Sequence, residues 1–195
     1  MMIAAAPEFA ALQAQFEALK TQASALVAGL AESQFNWRPA RHKWSIAECL
    51  LHLNMLGDRY VHVIEPLLEE ARTKRQTSAT SPRHGWFARW ILSKTEPPPK
   101  RSFRAARSFR PPDEQPVTAV LPTFLHLQDQ LIRQIDQAAS LGAAHIKVPA
   151  LAVRPLKFDL HLTFAWIAAH ERRHLWQARQ VRQHGAFPDL RVATR

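Results

Sequence analysis

Apolar residues recur at intervals of three and four along four long segments of this chain, and this spacing restricts its possible folds. Such a pattern places apolar side chains on one face of an α-helix, which must be buried against other helices. In the first segment, at about residues 7–31, the face is formed by Phe9, Leu12, Phe16, Leu19, Ala23, Leu26 and Leu30. Three further helices are predicted at about residues 45–70, 118–142 and 159–184. The pattern therefore predicts an all-α fold, a four-helix bundle in a single domain over residues 1–195.

Several residues mark where these helices begin. Ser45 and Glu48 form the sequence signature of a capping box, so the second helix is predicted to begin at Ser45. Asp159 is expected to cap the start of the fourth helix. Proline is acceptable only in a first helical turn, which places the start of the third helix between residue 118 and Pro122. We expect no β-strand in the chain.

A basic, proline-rich insertion at residues 72–116 separates the second and third helices. Between residues 72 and 110 it holds eleven lysines and arginines against the single acid Glu96, while the whole chain has a net charge of +10. Residues 83–94 are predicted to form a short amphipathic helix, and residues 95–116 an extended loop. Aromatic residues interleave with arginines here, as in single-strand nucleic-acid binders. We nevertheless expect a solvated loop and no nucleic-acid partner, because no nucleic-acid-binding fold is recognisable.

The single cysteine and the hydropathy of the chain bear on its compartment. Cys49 has no second cysteine to pair with, which favours a reducing environment. No apolar run approaches the roughly 20 residues of a membrane span, and the N-terminus lacks a basic signal-peptide region. We therefore expect a cytoplasmic protein without a membrane partner. Cys49 itself is interpreted as a small buried apolar residue and not as a nucleophile.

Three histidines form the candidate site. His170 and His174 lie four residues apart on the predicted fourth helix, so their imidazoles project from one face, one turn apart. His52 lies one turn after Glu48, beside the apolar face of the second helix. Three histidines can occupy three sites of a tetrahedral ion and leave a fourth open for water or substrate. The other seven histidines are expected to be solvated or to make local hydrogen bonds.

The run His170–His174 also matches the H-E-x-x-H pattern of zinc peptidases, in which the glutamate is the general base. These peptidases need a further downstream ligand and a strand that holds the peptide. Only 21 residues follow His174, and no strand is expected. We therefore disfavour a peptidase and interpret Glu171 as a residue behind the ligands or on the surface.

Two stretches carry a family resemblance: NWRPARHKWSIAECLLHL (36–53) and HLTFAWIAAHERRHLWQARQVRQHG (161–185). Together they resemble the DinB-like superfamily, also called the YfiT type. In that family a tryptophan-serine pair opens the second helix, whose histidine is the first metal ligand, and an H-x-x-x-H pair on the last long helix supplies two more. The resemblance thus implies a metal site formed by His52, His170 and His174.

The resemblance also implies a cofactor, an activity and an assembly. It implies a divalent ion, commonly zinc or nickel, and a homodimer. For the activity it implies transfer or isomerisation chemistry with a low-molecular-weight thiol such as bacillithiol or mycothiol. Three neutral imidazoles leave the ion its full charge, which acidifies either a thiol or a water molecule, so metal-dependent hydrolysis stays open. A non-catalytic, stress-related metal-binding protein is the third alternative. The basic insertion departs from the family pattern, and we expect residues 95–110 to be separable from the metal site.

Overall fold

The computed structural model describes residues 7–74, 85–99, 109–111, 116–151 and 155–189. These residues are mostly helical, which confirms the predicted all-α class. In chain order the helices and strands are α1 (Pro7–Val27), α2 (Glu32–Phe35), α3 (Ile46–Thr73), α4 (Trp86–Thr95), α5 (Val117–Ser140), β1 (Lys147–Pro149), β2 (Lys157–Asp159) and α6 (Leu160–Arg182). No helix among the described residues is both long and apolar enough to cross a membrane.

The four long helices pack around a shared apolar core. Helices α1 and α3 each contact both α5 and α6. The predicted face of α1 is buried from Phe9 to Leu26, and Phe16 is completely inaccessible to solvent. On α3 the buried face comprises Ile46, Cys49, Leu53, Leu56, Tyr60 and Ile64. Burial of these side chains supplies the main stabilisation of the fold and fixes α3 against α6, the two helices that carry the candidate ligands.

The capping box at the start of α3 is present as predicted. The Ser45 hydroxyl accepts a hydrogen bond from the Glu48 backbone N–H at 3.1 Å, and the Ser45 N–H donates to the Glu48 carboxylate at 2.8 Å. The same carboxylate accepts two hydrogen bonds from the Arg38 guanidinium, at 2.7 and 2.8 Å. Glu48 lies one turn before His52 on α3, and its carboxylate therefore fixes the preceding loop to the start of this helix.

We expect Ser45→Ala to lower the free energy of unfolding by about 1 kcal/mol, because the Glu48 N–H loses its acceptor at a buried helix start. Urea denaturation monitored by circular dichroism measures the change. Ser140→Ala is the matched control, since the Ser140 hydroxyl bonds only to the Asp136 carbonyl on the exposed end of α5. An equal effect in both variants would contradict a special role for the cap.

Helix α5 begins earlier than predicted. It starts at Val117, so Pro122 lies inside the helix and not in its first turn. The Val117 N–H donates to both carboxylate oxygens of Glu32 at 3.0 Å, and a negative charge at a helix N-terminus is stabilising. The acceptor comes from α2, a distant part of the chain, and this tertiary contact outweighs the local preference against an internal proline.

A short antiparallel hairpin, β1 paired with β2, corrects the expectation that the chain has no strand. Val148 and Phe158 face each other across the hairpin and are both buried. Asp159 does precede α6 as predicted, but its side chain makes no capping hydrogen bond. It accepts instead from Lys147 Nζ at 2.6 Å, so Asp159 closes the hairpin.

The short helix predicted in the basic insertion is confirmed as α4, which packs against α6. Arg172 of α6 donates hydrogen bonds to both carboxylate oxygens of Glu96, directly after α4. Arg173 donates to the Lys94 carbonyl at 3.4 Å. The end of α4 is thereby fixed beside the turn of α6 that carries His170 and His174. Most of the loop predicted at 95–116 lies outside the described residues.

Candidate metal centre

His52 on α3 and the pair His170 and His174 on α6 converge between the two helices. One ring nitrogen from each histidine lies within 4.8 Å of the other two. Three atoms so placed share a point at about 2.8 Å or less from each, so small side-chain rotations reach the zinc–nitrogen distance of about 2.0–2.1 Å. None of the other described histidines joins this cluster. The three sequence-predicted residues are therefore brought together and can hold one metal ion.

Two ring nitrogens of this cluster are buried without a hydrogen-bond partner among the described residues. His52 and His174 are 5% and 9% exposed. The Nδ1 atoms of His170 and His174 are buried, and no hydrogen-bond partner is present among the described residues. Burial, together with the neighbouring histidines and Arg173, lowers the pKa of His170 to about 3 and that of His174 well below its usual value. The imidazoles are thus neutral, the form that binds metal, and a cation fits the unsatisfied nitrogens.

The backbone of the insertion orients His52. Its Nδ1 lies 2.8 Å from the Phe109 carbonyl oxygen, which can only accept a hydrogen bond. Nδ1 therefore carries the ring proton and Nε2 keeps the lone pair that a metal ion requires. The Phe109 side chain is 6% exposed, and the Arg59 guanidinium lies 4.4 Å above its ring. These contacts argue against the expectation that residues 95–110 are separable from the metal site, and measurement of metal binding tests it.

Two tryptophans form walls of the histidine cluster. The Trp44 ring is stacked on His174 with centroids 5.6 Å apart and lies 5.0 Å from His52. Trp166, one turn before His170 on α6, is stacked on that histidine at 4.9 Å. Such contacts restrict rotation of the imidazoles and exclude water from one side of each ring.

Comparison with known proteins identifies the family. A family model described as the DinB superfamily matches residues 15–178, a range that includes all three histidines. The chain belongs to the DinB superfamily. No curated protein and no solved structure matches it. The resemblance that the two sequence stretches indicated is thus confirmed over most of this DinB protein.

Glu171 of this DinB protein is buried, but it is not part of the histidine cluster. Its carboxylate accepts a hydrogen bond at 3.0 Å from Gln128 of α5. Burial raises the pKa of Glu171 to about 8, although Gln128 and Arg172 oppose that shift. One carboxyl oxygen of Glu171 is hydrogen-bonded to α5, and the residue lies outside the histidine cluster, so the geometry gives no support to a peptidase general base. The sequence analysis did not predict this pair; the one signal that could have indicated it is Gln128, a polar residue that interrupts the apolar face of α5.

Cys49 is completely buried and forms no disulfide, as predicted. Burial raises the pKa of its thiol, with a smaller contribution from Glu48. We therefore expect Cys49 in this DinB protein to resist a chromogenic disulfide reagent such as Ellman's reagent under native conditions. One thiol per chain should react in about 6 M guanidinium chloride, where the core is unfolded. Rapid native labelling would contradict the buried assignment.

Proposed function

We propose that His52, His170 and His174 bind one divalent metal ion, zinc or nickel, between α3 and α6 of a four-helix bundle. The observation that carries the proposal is the convergence of three neutral imidazoles, whose ligand nitrogens lie within 4.8 Å of one another, with the buried Nδ1 atoms of His170 and His174 left without partners among the described residues. A buried polar atom without a partner costs about 1–3 kcal/mol, and this cluster contains two such atoms. If bound through these two nitrogens, a metal ion with one open position would remove that cost and provide a reactive site.

We further propose that the reaction is the transfer of a low-molecular-weight thiol to an electrophile. A divalent ion held by three neutral ligands lowers the pKa of a thiol or water molecule in its open position. In the transfer, the thiol sulfur forms a bond to an electrophilic carbon, the leaving group departs with the bonding pair, and the thiol proton passes to solvent. Family membership supports the thiol as the reactant in preference to water. Cys49 is buried and takes no part.

Cationic side chains beside the site support an anionic substrate. Arg173 is half-buried, and its charge contributes to the lowered pKa of both His170 and His174. Arg59 lies over the ring of Phe109, the residue whose carbonyl contacts His52. The carboxylates of a bacillithiol- or mycothiol-like molecule carry negative charge, which these two arginines would attract. Arg173→Gln is accordingly expected to raise KM for the thiol with little change in kcat.

The proposed activity is tested with untagged, metal-loaded protein. Bacillithiol, mycothiol, glutathione and cysteine are each supplied with a chromogenic electrophile, and product formation is followed. Turnover that requires one of the thiols and is lost in His174→Ala supports the transferase. His126→Ala is the matched control, because His126 is exposed on α5 and outside the cluster.

Two results would overturn the transferase. Turnover without any thiol, again lost in His174→Ala, would assign metal-dependent hydrolysis to the same site. Absence of turnover with all four thiols, in protein shown to contain stoichiometric metal, would favour the non-catalytic metal-binding protein. Metal content is measured separately in each case, so failure of the reaction and failure of the metal site are distinguishable.

A further inference from the structure

Helix α4 presents apolar side chains on two faces. One face is directed at the rest of the protein, where Ala88 is buried and Ile91 and Leu92 pack against the core. The opposite face carries three aromatic side chains that are largely in solvent: Trp86 is 74% exposed, Phe87 46% and Trp90 51%. A contiguous group of exposed apolar side chains usually marks an interaction surface, whereas single exposed apolar residues are common on any protein.

The three aromatic rings form one continuous surface, which we call the aromatic face. Phe87 and Trp90 are stacked with centroids 6.0 Å apart and planes 17° apart. Trp86 meets the edge of Phe87 at 5.9 Å. The helix beneath is held to α6 through the Glu96–Arg172 ion pair. The aromatic face therefore has a fixed orientation before any partner binds, which reduces the entropy cost of binding.

Basic residues accompany the aromatic face on α4 and in the adjoining sequence. Arg89 and Lys94 on α4 are exposed, and Lys94 Nζ lies 5.9 Å from the Trp90 ring. Residues 75–110 contain nine lysines and arginines, and their single acid, Glu96, is already paired with Arg172. A second copy of the chain would bring two such segments together, and their repulsion opposes self-association here. An anionic partner is favoured.

We propose that the aromatic face of α4 docks on the surface of an anionic lipid bilayer. Tryptophan and phenylalanine on one side of a helix with flanking lysine and arginine are the features of interfacial helices, which need no membrane-spanning segment. Basic residues near an anionic leaflet add electrostatic attraction to the burial of the aromatic side chains. Single-stranded nucleic acid fits less well, because base stacking needs free ring faces and Phe87 and Trp90 are stacked on each other.

The test is co-sedimentation of the full chain with vesicles. We expect binding to phosphatidylcholine vesicles that contain about 30 mol% phosphatidylserine, and weak binding to phosphatidylcholine alone. The triple variant W86S/F87S/W90S should lose at least ~tenfold in affinity, and R89E/K94E should lose affinity for the anionic vesicles only. Leu156→Ser is the matched control, since Leu156 is 39% exposed on another part of the surface. Circular dichroism and metal content should be unchanged in every variant.

Several outcomes would overturn the proposal. One is absence of anionic-vesicle binding at low salt, and another is equal binding by the parent and the triple variant. If light scattering shows a dimer that the triple variant abolishes, the occupant of the aromatic face is a second copy. If the triple variant instead loses salt-sensitive affinity for single-stranded DNA while vesicle binding stays absent, the partner is nucleic acid.

Discussion

His170→Ala is expected to reduce bound metal from one equivalent to background while the helices stay folded. The variant removes one of three converging ligands, and only His52 and His174 then face the site. Loss of a partner behind a ligand costs about 10–100-fold in metal affinity, so loss of a ligand itself should exceed ~100-fold. Alanine is a strong helix former, so α6 should persist. Elemental analysis of untagged protein, purified without added metal, measures the bound ion.

The control for this prediction separates ligand loss from general destabilisation. His126→Ala removes an exposed histidine from α5 and should retain the full metal content. Metal should also raise the melting temperature of the parent and of His126→Ala, but not that of His170→Ala, because only a folded site that binds the ion gains stability from it. Stoichiometric metal in His170→Ala would refute the proposal that His170 is a ligand of the ion.

Local sequence patterns were sufficient to identify the ligand helices. The i,i+4 pair His170 and His174 needs only helical geometry to share a face, and the Ser45–Glu48 capping box sets the rotation of His52 about α3. Each relation spans fewer than ten residues, so it depends on backbone geometry and not on the course of the chain. The apolar faces then indicated that the four long helices would be buried against one another.

Other features depend on contacts between distant residues, for which there is no local sequence signal. Val117 begins α5 because Glu32 supplies its acceptor, 85 residues earlier in the chain. Phe109 lies 57 residues from His52, within a stretch whose composition indicated only a solvated loop. A backbone carbonyl can be supplied by any residue type, so no side-chain motif marks it. Only the course of the chain in three dimensions shows that Phe109 of the insertion reaches the histidine cluster.

Phe109→Ala is accordingly expected to weaken metal binding about 10–100-fold without abolishing it. The alanine keeps the carbonyl that accepts from His52 Nδ1, but it removes the buried ring that holds this carbonyl in place and the surface on which Arg59 lies. His52 then loses its fixed proton position and samples orientations in which Nε2 no longer faces His170 and His174. Competition with a chromophoric chelator measures the dissociation constant for zinc or nickel.

Phe87→Ala is the matched control, because it removes an aromatic ring from the same insertion at an exposed position. Its metal affinity should equal that of the parent. Arg59→Ala should weaken metal binding by less than Phe109→Ala, and the double variant should resemble Phe109→Ala, since both residues act through one contact. If the losses of metal affinity in the two single variants add fully in the double variant, Arg59 does not act through Phe109. Unchanged affinity in Phe109→Ala would show that the Phe109 ring is not needed to hold the carbonyl that orients His52.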